Sequence, residues 1–570
     1  MPTCYVRQSV AKNIYISPPR LRMIWVILIC LSAPYTSACS RADDQPTGAP
    51  QRNPALPEVG SAGHFVDVAQ AAGILARQDL PGQDIHTIVE SLGAGAAFVD
   101  LDGDAFLDLI VVGGTNYPTP EGEAPGGDGL HLYRNLSTGV FEDITHSSGL
   151  PAEATATAVV TGDVDGDGDE DIYLVDRGPN RLFRNKGGMV FKEITSRAGV
   201  DDPSYGVGAV FFDMDGDADL DLYVANYLEY EEQGTPYYAP DGYPGPLSYR
   251  AQTDRLYRNR GDGRFADVSE STGVLSRTGR AMSLGAADID VDGDIDLFVA
   301  NDAEANFLLI NDGSGSFEER AFAAGVALGA DGNATSAMAV SIADINGDAL
   351  PDIAVSDSHF GALYVQLEAG LFQDIVMSSG VAAHSGRYVT WGQLLIDYDN
   401  DGDKDLFSAN GGLRHLTSWE DQLLRNEGRS TFVDVSAELG PVFEQRWIGR
   451  SALSVDYDND GDMDILLTGP DGLHLLRNDP VVHNGWIKID LGGVRGARGS
   501  RVTVEAGGRR WVAEYGFCSG YLGQCDGRVH VGLGAGVQEL DRVHVQFPDG
   551  SYKELEQVAV NQILHLSREP

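Results

Sequence analysis

Seven short stretches of this chain share one acidic pattern. They are DLDGDAFLDL from Asp100, DVDGDGDEDI from Asp163, DMDGDADLDL from Asp213, DIDVDGDIDL from Asp288, DINGDALPDI from Asp344, DYDNDGDKDL from Asp397 and DYDNDGDMDI from Asp456. They align without a gap and are called loops one to seven below. Positions 1, 3, 5 and 9 are Asp100, Asp102, Asp104 and Asp108 in loop one, and Asp163, Asp165, Asp167 and Asp171 in loop two. Loop three has Asp213, Asp215, Asp217 and Asp221, and loop four has Asp288, Asp290, Asp292 and Asp296. Loop five has Asp344, Asn346, Asp348 and Asp352, with one asparagine; loop six has Asp397, Asp399, Asp401 and Asp405; loop seven has Asp456, Asp458, Asp460 and Asp464. Like charges at this density repel, so a folded chain needs something that offsets them. Calcium does so: it takes six to eight oxygen ligands in a flexible shell, which alternate side chains and one carbonyl of a tight loop can supply. Small residues at position 6, such as Gly168 and Ala218, allow the turn. An EF-hand would close with glutamate at position 12, whereas position 12 here is a strand residue such as Val111 or Val224. Magnesium suits the loops less because it dehydrates reluctantly. Seven copies in fixed register argue against incidental solvated turns. The missing charge of loop five makes it the expected weaker site.

The loops require strands to hold them. An apolar strand of small residues precedes each one, as in GAGAAFVD, and a strand such as LDLYVAN follows. Then come LYRN or a variant, a glycine turn, and FEDI, FADV or a relative. Four short strands per unit, repeated seven times, predict an all-β, seven-bladed β-propeller over 64–484. The seventh unit has LLRN at 475–478 but no FxDV, while an extra FVDV stands at 65–68. The N-terminal strand is therefore expected to complete the last blade and close the ring without a free edge.

These repeats resemble the FG-GAP/VCBS blades of integrin α-subunit heads. The longer pattern DxDxDGxxDL…LYRNxGxxxFxDV…GV resembles the cartilage acidic protein family. In the tail, NGWIKIDLGG, RGARGSRVTV, GRVHVGLG, VHVQFPDG and NQILHL resemble an ASPIC/UnbV domain. The chain departs from the family in a short GVRGARGS loop, in Phe547 where WPDG is usual, and in Pro244 where the third-blade loop often has a cysteine. The resemblance implies calcium binding and life outside the cytoplasm, and no established reaction.

Residues 485–570 alternate apolar and polar with period two, which predicts a small antiparallel β domain. At the other end, Arg20 and Arg22 precede the short apolar run MIWVILICLSA, too short to span a bilayer. Residues 1–39 read as an export signal and 40–63 as a polar linker. Cys39, after TSA, is a candidate for lipidation as in bacterial lipoproteins; simple secretion and an N-terminal anchor helix are the alternatives. The expected place is periplasmic, outer-membrane-anchored, cell-surface or secreted. Cys518 and Cys525 remain as a pair expected to form a disulfide in an oxidising compartment. With 40 basic and 85 acidic residues the net charge is −45, which argues against nucleic acid and anionic lipid as partners.

Two functional classes remain. One is a monomeric binding or adhesion scaffold for an extracellular protein or glycan. The other is an enzyme working on polysaccharide or another extracellular substrate in the central funnel. His86, His359, His384 and His415 are scattered without metal spacing, Glu90 has no carboxylate partner for acid/base work, and no nucleophile elbow occurs, so no catalytic residue is assigned. A ligand site at the funnel mouth is expected from Arg280, Arg387, Arg446 and Arg450 with Trp391 and Trp447, which suit an anionic or sugar-like ligand. An insertion at 227–254 with six tyrosines is a second candidate surface, or a loop folded over the propeller.

Overall fold

The computed structural model describes residues 64–78, 85–114, 117–119, 122–124, 127–231, 243–413, 415–517 and 519–567. The export segment with Cys39, the linker, Tyr237, Tyr238 and Cys518 lie outside the described residues. Among those described, every helix is a single turn or little more, and none is long and apolar enough to cross a membrane.

The chain forms a β-propeller. Seven sheets share one plan of four antiparallel strands from the axis outward, in sequence order in six of them; in the seventh the outer strand is the N-terminal one, and the first is extended at the axis by a hairpin. The third is representative: Gly206–Phe212, Asp221–Asn226, Arg255–Asn259 and Phe265–Asp267. The inner strands are Ala96–Val99, Ala158–Gly162, Gly206–Phe212, Ala281–Ala287, Val340–Ala343, Thr390–Ile396 and Ala452–Val455. Each touches the next, and the last returns to the first. Alanine and glycine are frequent in them because the strands crowd around the axis. Second strands such as Asp221–Asn226 and Asp296–Asn301 are buried throughout. Sandwiched between neighbouring sheets, they read as near-continuous apolar runs.

The ring closes through the N-terminal strand. Phe65–Asp67 pairs antiparallel with Gly472–Asn478, with Phe65 opposite Asn478 and Asp67 opposite Leu476. Phe65 is buried against Phe443 and Tyr398.

The C-terminal domain is two sheets. Val529–Gly534, Gly485–Asp490 and Gln562–His565 form one; Arg509–Glu514, Arg501–Ala506, Glu539–Gln546 and Tyr552–Ala559 form the other. The expected antiparallel order holds except for one parallel pair, Gly485–Asp490 with Gln562–His565, because the last strand returns beside the first in the same direction. This domain stands on the acidic-loop face of the propeller. Arg501 donates to Ala349 O in loop five, Trp511 Nε1 to Gly402 O in loop six, and Arg528 to Asp456 O in loop seven.

From this domain a hairpin enters the axis. Ser519–Gly520 and Gly523–Gln524 pair with each other, and Gly523–Gln524 lies parallel to Ala96–Val99, with Gln524 beside Ala97. The turn residues Tyr521 and Leu522 are fully buried, and Tyr521 meets the Trp391 ring. Gly95 is needed for this approach: a Cβ there would lie 1.7 Å from Leu522 O. Gln524 extends to the second blade, where its Oε1 accepts from Thr161 N. At the hairpin's foot Cys525 is buried and disulfide-bonded.

Each acidic loop turns on two residues with left-handed backbone, at positions 4 and 6. They are Gly103 and Ala105 in loop one, Asn400 and Gly402 in loop six, and Asn459 and Gly461 in loop seven. In loop four position 4 is Val291, at φ 62°. A β-branched side chain is strained there, at a cost of roughly 1–2 kcal/mol.

Two outcomes follow. Val291→Asn, which copies loops six and seven, should raise stability in denaturant unfolding by about 1 kcal/mol. Deleting residues 64–68 should leave the Gly472–Asn478 strand without a partner and lower the melting temperature, with self-association visible in light scattering.

Candidate functional site

The loops are built from the position-9 aspartate outward. In loop one Asp108 is buried; its Oδ2 accepts from Leu101 N at 3.0 Å and its Oδ1 from Asn135 N at 2.9 Å. One carboxylate thus fixes the start of its loop and the strand carrying LYRN. The same two bonds recur at Asp171, Asp221, Asp296, Asp352, Asp405 and Asp464. The LYRN asparagine extends the arrangement to the preceding blade. Asn185 Nδ2 donates to Leu101 O at 3.1 Å, Asn259 Nδ2 to Val164 O at 2.8 Å and Asn311 Nδ2 to Met214 O at 2.9 Å. Asn426 and Asn478 do likewise, and Asn135 donates to Tyr457 O, which joins the first blade to the seventh. In the fifth unit Gln366 stands in this place and donates to Pro351 O of its own loop.

Positions 1, 3 and 9 come together. In loops one, two, three, four and six, one carboxylate oxygen from each lies within 4.8 Å of the other two. Position 5 serves the turn as well: Asp104 Oδ1 accepts from Phe106 N at 3.0 Å, and Asp167, Asp217, Asp292, Asp348, Asp401 and Asp460 make the same bond two residues on. Asp102, Asp165, Asp215 and Asp290 each keep a buried Oδ1 that no hydrogen-bond donor reaches, as do Asp397 and Asp456 at position 1. A buried carboxylate oxygen without a donor is costly, and a cation bound inside the loop would satisfy it. Loop five differs here, because Asn346 is engaged with Asp348 through both its Nδ2 and its Oδ1.

Burial sets the protonation of position 9. It pushes Asp108, Asp171, Asp221 and Asp296 up to about 8 despite their backbone hydrogen bonds, and Asp352 up to about 7. The neighbouring loop carboxylates push in the same direction.

Several contributors are not apparent from the aspartate spacing. The LYRN arginines reach back to position 3: Arg134 to Asp102 at 2.5 Å, Arg184 to Asp165 at 2.6 Å and Arg258 to Asp215 at 3.0 Å. Their recurrence in the motif was the available signal. Loop four has Ile310 at that place, and Arg320 acts on its Asp290 instead. In loop seven Arg477 holds that place and is attracted to Asp458, and a second cation comes from the C-terminal domain. Lys488 Nζ lies 2.8 Å from Asp456 Oδ2 and 3.1 Å from Asp526 Oδ2, and its side chain is 0% exposed. Burial pushes Asp526 up, but Arg528 and Lys488 outweigh it and hold its carboxyl far below the usual range. Over the same loop lies the Trp486 ring, against which a Cβ at Gly461 would come within 1.8 Å.

The expected funnel-mouth site is revised by burial. Arg450 is 0% exposed, stacks on Trp391 at 4.2 Å and donates to Ser91 O, Gly449 O and Gly412 O. Arg280 is buried, donates to Pro246 O and Tyr249 O and pairs with Glu304. Trp391 and Trp447 are buried too. These four hold the wall and its covering loop together, because carbonyl groups at crowded strand starts need donors. Only Arg387 and Arg446 are exposed. Arg446 pairs with Glu420, Arg387 stacks over Tyr388, and both line an open groove of about 720 Å³. The described parts of the tyrosine insertion fold onto the propeller: Tyr243 donates to Leu413 O, Tyr227 to Asp302, and Tyr230 stacks on Tyr249.

Comparison with known proteins bears on this arrangement. The FG-GAP-like repeat model matches residues 100–174, 163–224, 241–299, 288–355 and 397–489, together more than half of the chain. The ASPIC and UnbV model matches residues 492–570. Cartilage acidic protein 1 of Mus musculus is 29% identical over 308 residues, 51% of this chain and 45% of that protein. The Homo sapiens protein is also 29% identical, over 51% of this chain and 44% of its own length. The matched region thus spans less than half of these relatives. Among solved structures, the BP39L lectin from Burkholderia pseudomallei aligns over 68% of this chain and 98% of its own, at 13% identity and a TM-score of 0.42. An Agrocybe aegerita protein described as recognising non-reducing terminal N-acetylglucosamine aligns over 71% and 89%, at 15% identity and a TM-score of 0.38. On the repeats matched and the seven sheets they form, this chain belongs to the FG-GAP-like repeat family and carries an ASPIC and UnbV domain at its C-terminal end.

Proposed function

We propose that the protein is an exported, calcium-stiffened binding scaffold for an extracellular protein or glycan. The observation that carries this reading is the repeated carboxylate trio, together with buried oxygens in these loops that no donor reaches. An all-oxygen donor set that is anionic, flexible and short of hydrogen-bond donors suits calcium. Position 1, 3 and 9 carboxylates would be ligands, with position 5 and the position 7 carbonyl completing the shell. Calcium held there would stiffen the loop face on which the C-terminal domain stands.

Binding is favoured over catalysis because the axis, where a funnel enzyme would work, is filled by Tyr521 and Leu522. The partner surface is then on the outside. Arg387 and Arg446 are the exposed cations remaining from the mouth, with the buried Tyr388 ring beneath Arg387. Guanidinium groups there would take a carboxylate or sulfate. The name of the relatives, cartilage acidic protein, accords with an acidic protein outside the cell. Export through the N-terminal segment, with or without a lipid on Cys39, belongs to the same reading.

Calcium should raise the melting temperature and a chelator should lower it. Each filled site adds roughly 2.7 kcal/mol when free calcium is about a hundred times Kd. The pH dependence has a definite sign. Position-9 carboxyls lie near 3.8 in the unfolded chain and are all pushed up in the metal-free fold, to about 8 at Asp108, Asp171, Asp221 and Asp296. The fold therefore holds protons that the unfolded chain has released, and stability falls as pH rises through this window. Chelated protein should melt at a lower temperature at about pH 8.5 than at about pH 5.5, and the calcium-induced shift should grow with pH. Titration calorimetry without calcium uptake would refute the metal assignment. On a glycan array and a panel of extracellular matrix proteins, Arg387→Ala/Arg446→Ala should lose binding that the parent shows, with calcium uptake unchanged. Turnover of a glycan by the purified protein would instead favour an enzyme.

A further inference from the structure

Loop seven is unlike the others in what stands on it. The C-terminal domain covers it, and Asp456, Asn459, Asp462, Met463 and Asp464 are buried. Lys488 Nζ is held between Asp456 Oδ2 at 2.8 Å and Asp526 Oδ2 at 3.1 Å. Arg528 donates to Asp456 O at 3.0 Å and to Asn459 Oδ1 at 2.8 Å, on the same loop. In loop six the corresponding carboxylate, Asp397, receives at its Oδ2 a neutral donor, Gly532 N, at 3.1 Å. Both loops read DYDNDGD and each keeps a position-1 Oδ1 buried without a hydrogen bond, but loop six carries Lys404, whose charge favours ionised Asp397 without pairing to it, where loop seven has Met463.

We infer that Lys488 is a tethered counter-cation that takes the place of the exchangeable ion in loop seven. This rests on the calcium reading of the other loops. Two positive charges near one carboxylate repel each other strongly when water is excluded from between them. An ammonium buried at a ligand carboxylate therefore opposes entry of a divalent cation. It cannot leave without undocking the strand Gly485–Asp490, so it competes at a high effective concentration. Loop five, with its asparagine, is weakened by one ligand charge; loop seven is weakened by an added cation that the fold itself supplies.

The location gives this a purpose. Loop seven joins the first two strands of the blade that Phe65–Asp67 completes, and it underlies the C-terminal domain. Ring closure and domain attachment both pass through it. A covalently attached cation would keep this joint assembled when calcium is scarce and the other loops empty.

The test counts ions by native mass spectrometry and follows hydrogen exchange with and without chelator. Asp102→Asn in loop one should lower the calcium count by one, whereas Asp458→Asn in loop seven should leave it unchanged. Lys488→Met, which keeps chain length but not charge, should raise the count by one. In chelator, wild-type residues 452–478 should keep their exchange protection while loops one to four lose theirs. In Lys488→Met the protection of 452–478 should be lost in chelator and restored by calcium. A count lowered by Asp458→Asn, or one not raised by Lys488→Met, would overturn the inference while leaving calcium in the other loops intact. A wild-type count of zero, with none gained by Lys488→Met, would overturn both. If Lys488→Met does not fold, the Asp458→Asn count and wild-type exchange decide: an unchanged count with retained protection supports the inference, and either reversed overturns it.

Discussion

Everything in this propeller hangs on a buried aspartate carboxylate that accepts two backbone N–H groups. One bond, as from Leu101 N to Asp108, closes an acidic loop; the other, as from Asn135 N, ties in the third strand of the same blade. The asparagine so positioned then grips the loop of the preceding blade. Three tasks that other folds give to separate residues fall here to an Asp–Asn pair. Burying a carboxylate requires compensation, and two donors are insufficient for an ionised group in an apolar wall. The loop must therefore bind either a proton or a cation. A structural joint is in this way also a place where an ion could be held.

The charges around the loops are met unevenly. Arg134, Arg184 and Arg258 pair with the first three loops from outside, Arg320 and Arg501 act on loop four without an ion pair among the described residues, and Lys488 enters loop seven from the C-terminal domain. The repeats are equal in backbone and unequal in electrostatics. Divergence among copies has been possible because backbone geometry depends on positions 4, 6 and 9, whereas the local charge is set by residues elsewhere in the chain.

Much of the fold was legible in the sequence because a repeated signal reinforces itself. Strand order, loop register and the role of residues 65–68 follow from aligning seven copies, where one copy would have been ambiguous. The funnel mouth was not legible. Arg450 and Trp391 look like an open arginine–tryptophan pair in sequence, yet both are buried beneath Tyr521, which lies in a different domain. Period-two alternation marks the strands of residues 485–570 but gives no sign that a hairpin between two of them enters the propeller axis. Lys488 sits in WIKID, where alternation predicts an outward, solvated lysine. It does point away from its own domain's core, but the surface it meets is loop seven. Contacts across a domain boundary have no periodicity, and one sequence cannot supply them.

The two segments that complete the ring come from far along the chain. Asp67 meets His474 across a separation of 407 residues, and Thr161 meets Gln524 across 363. Closing such long loops costs entropy before any contact repays it, and folds dominated by distant pairings form slowly. The six blades between can collapse as neighbours early, but the seventh cannot gain its outer strand, nor the axis its filling, until both distant segments are present. Assembly is therefore a late and all-embracing event. A chain of this design cannot fill its axis until its tail has been made.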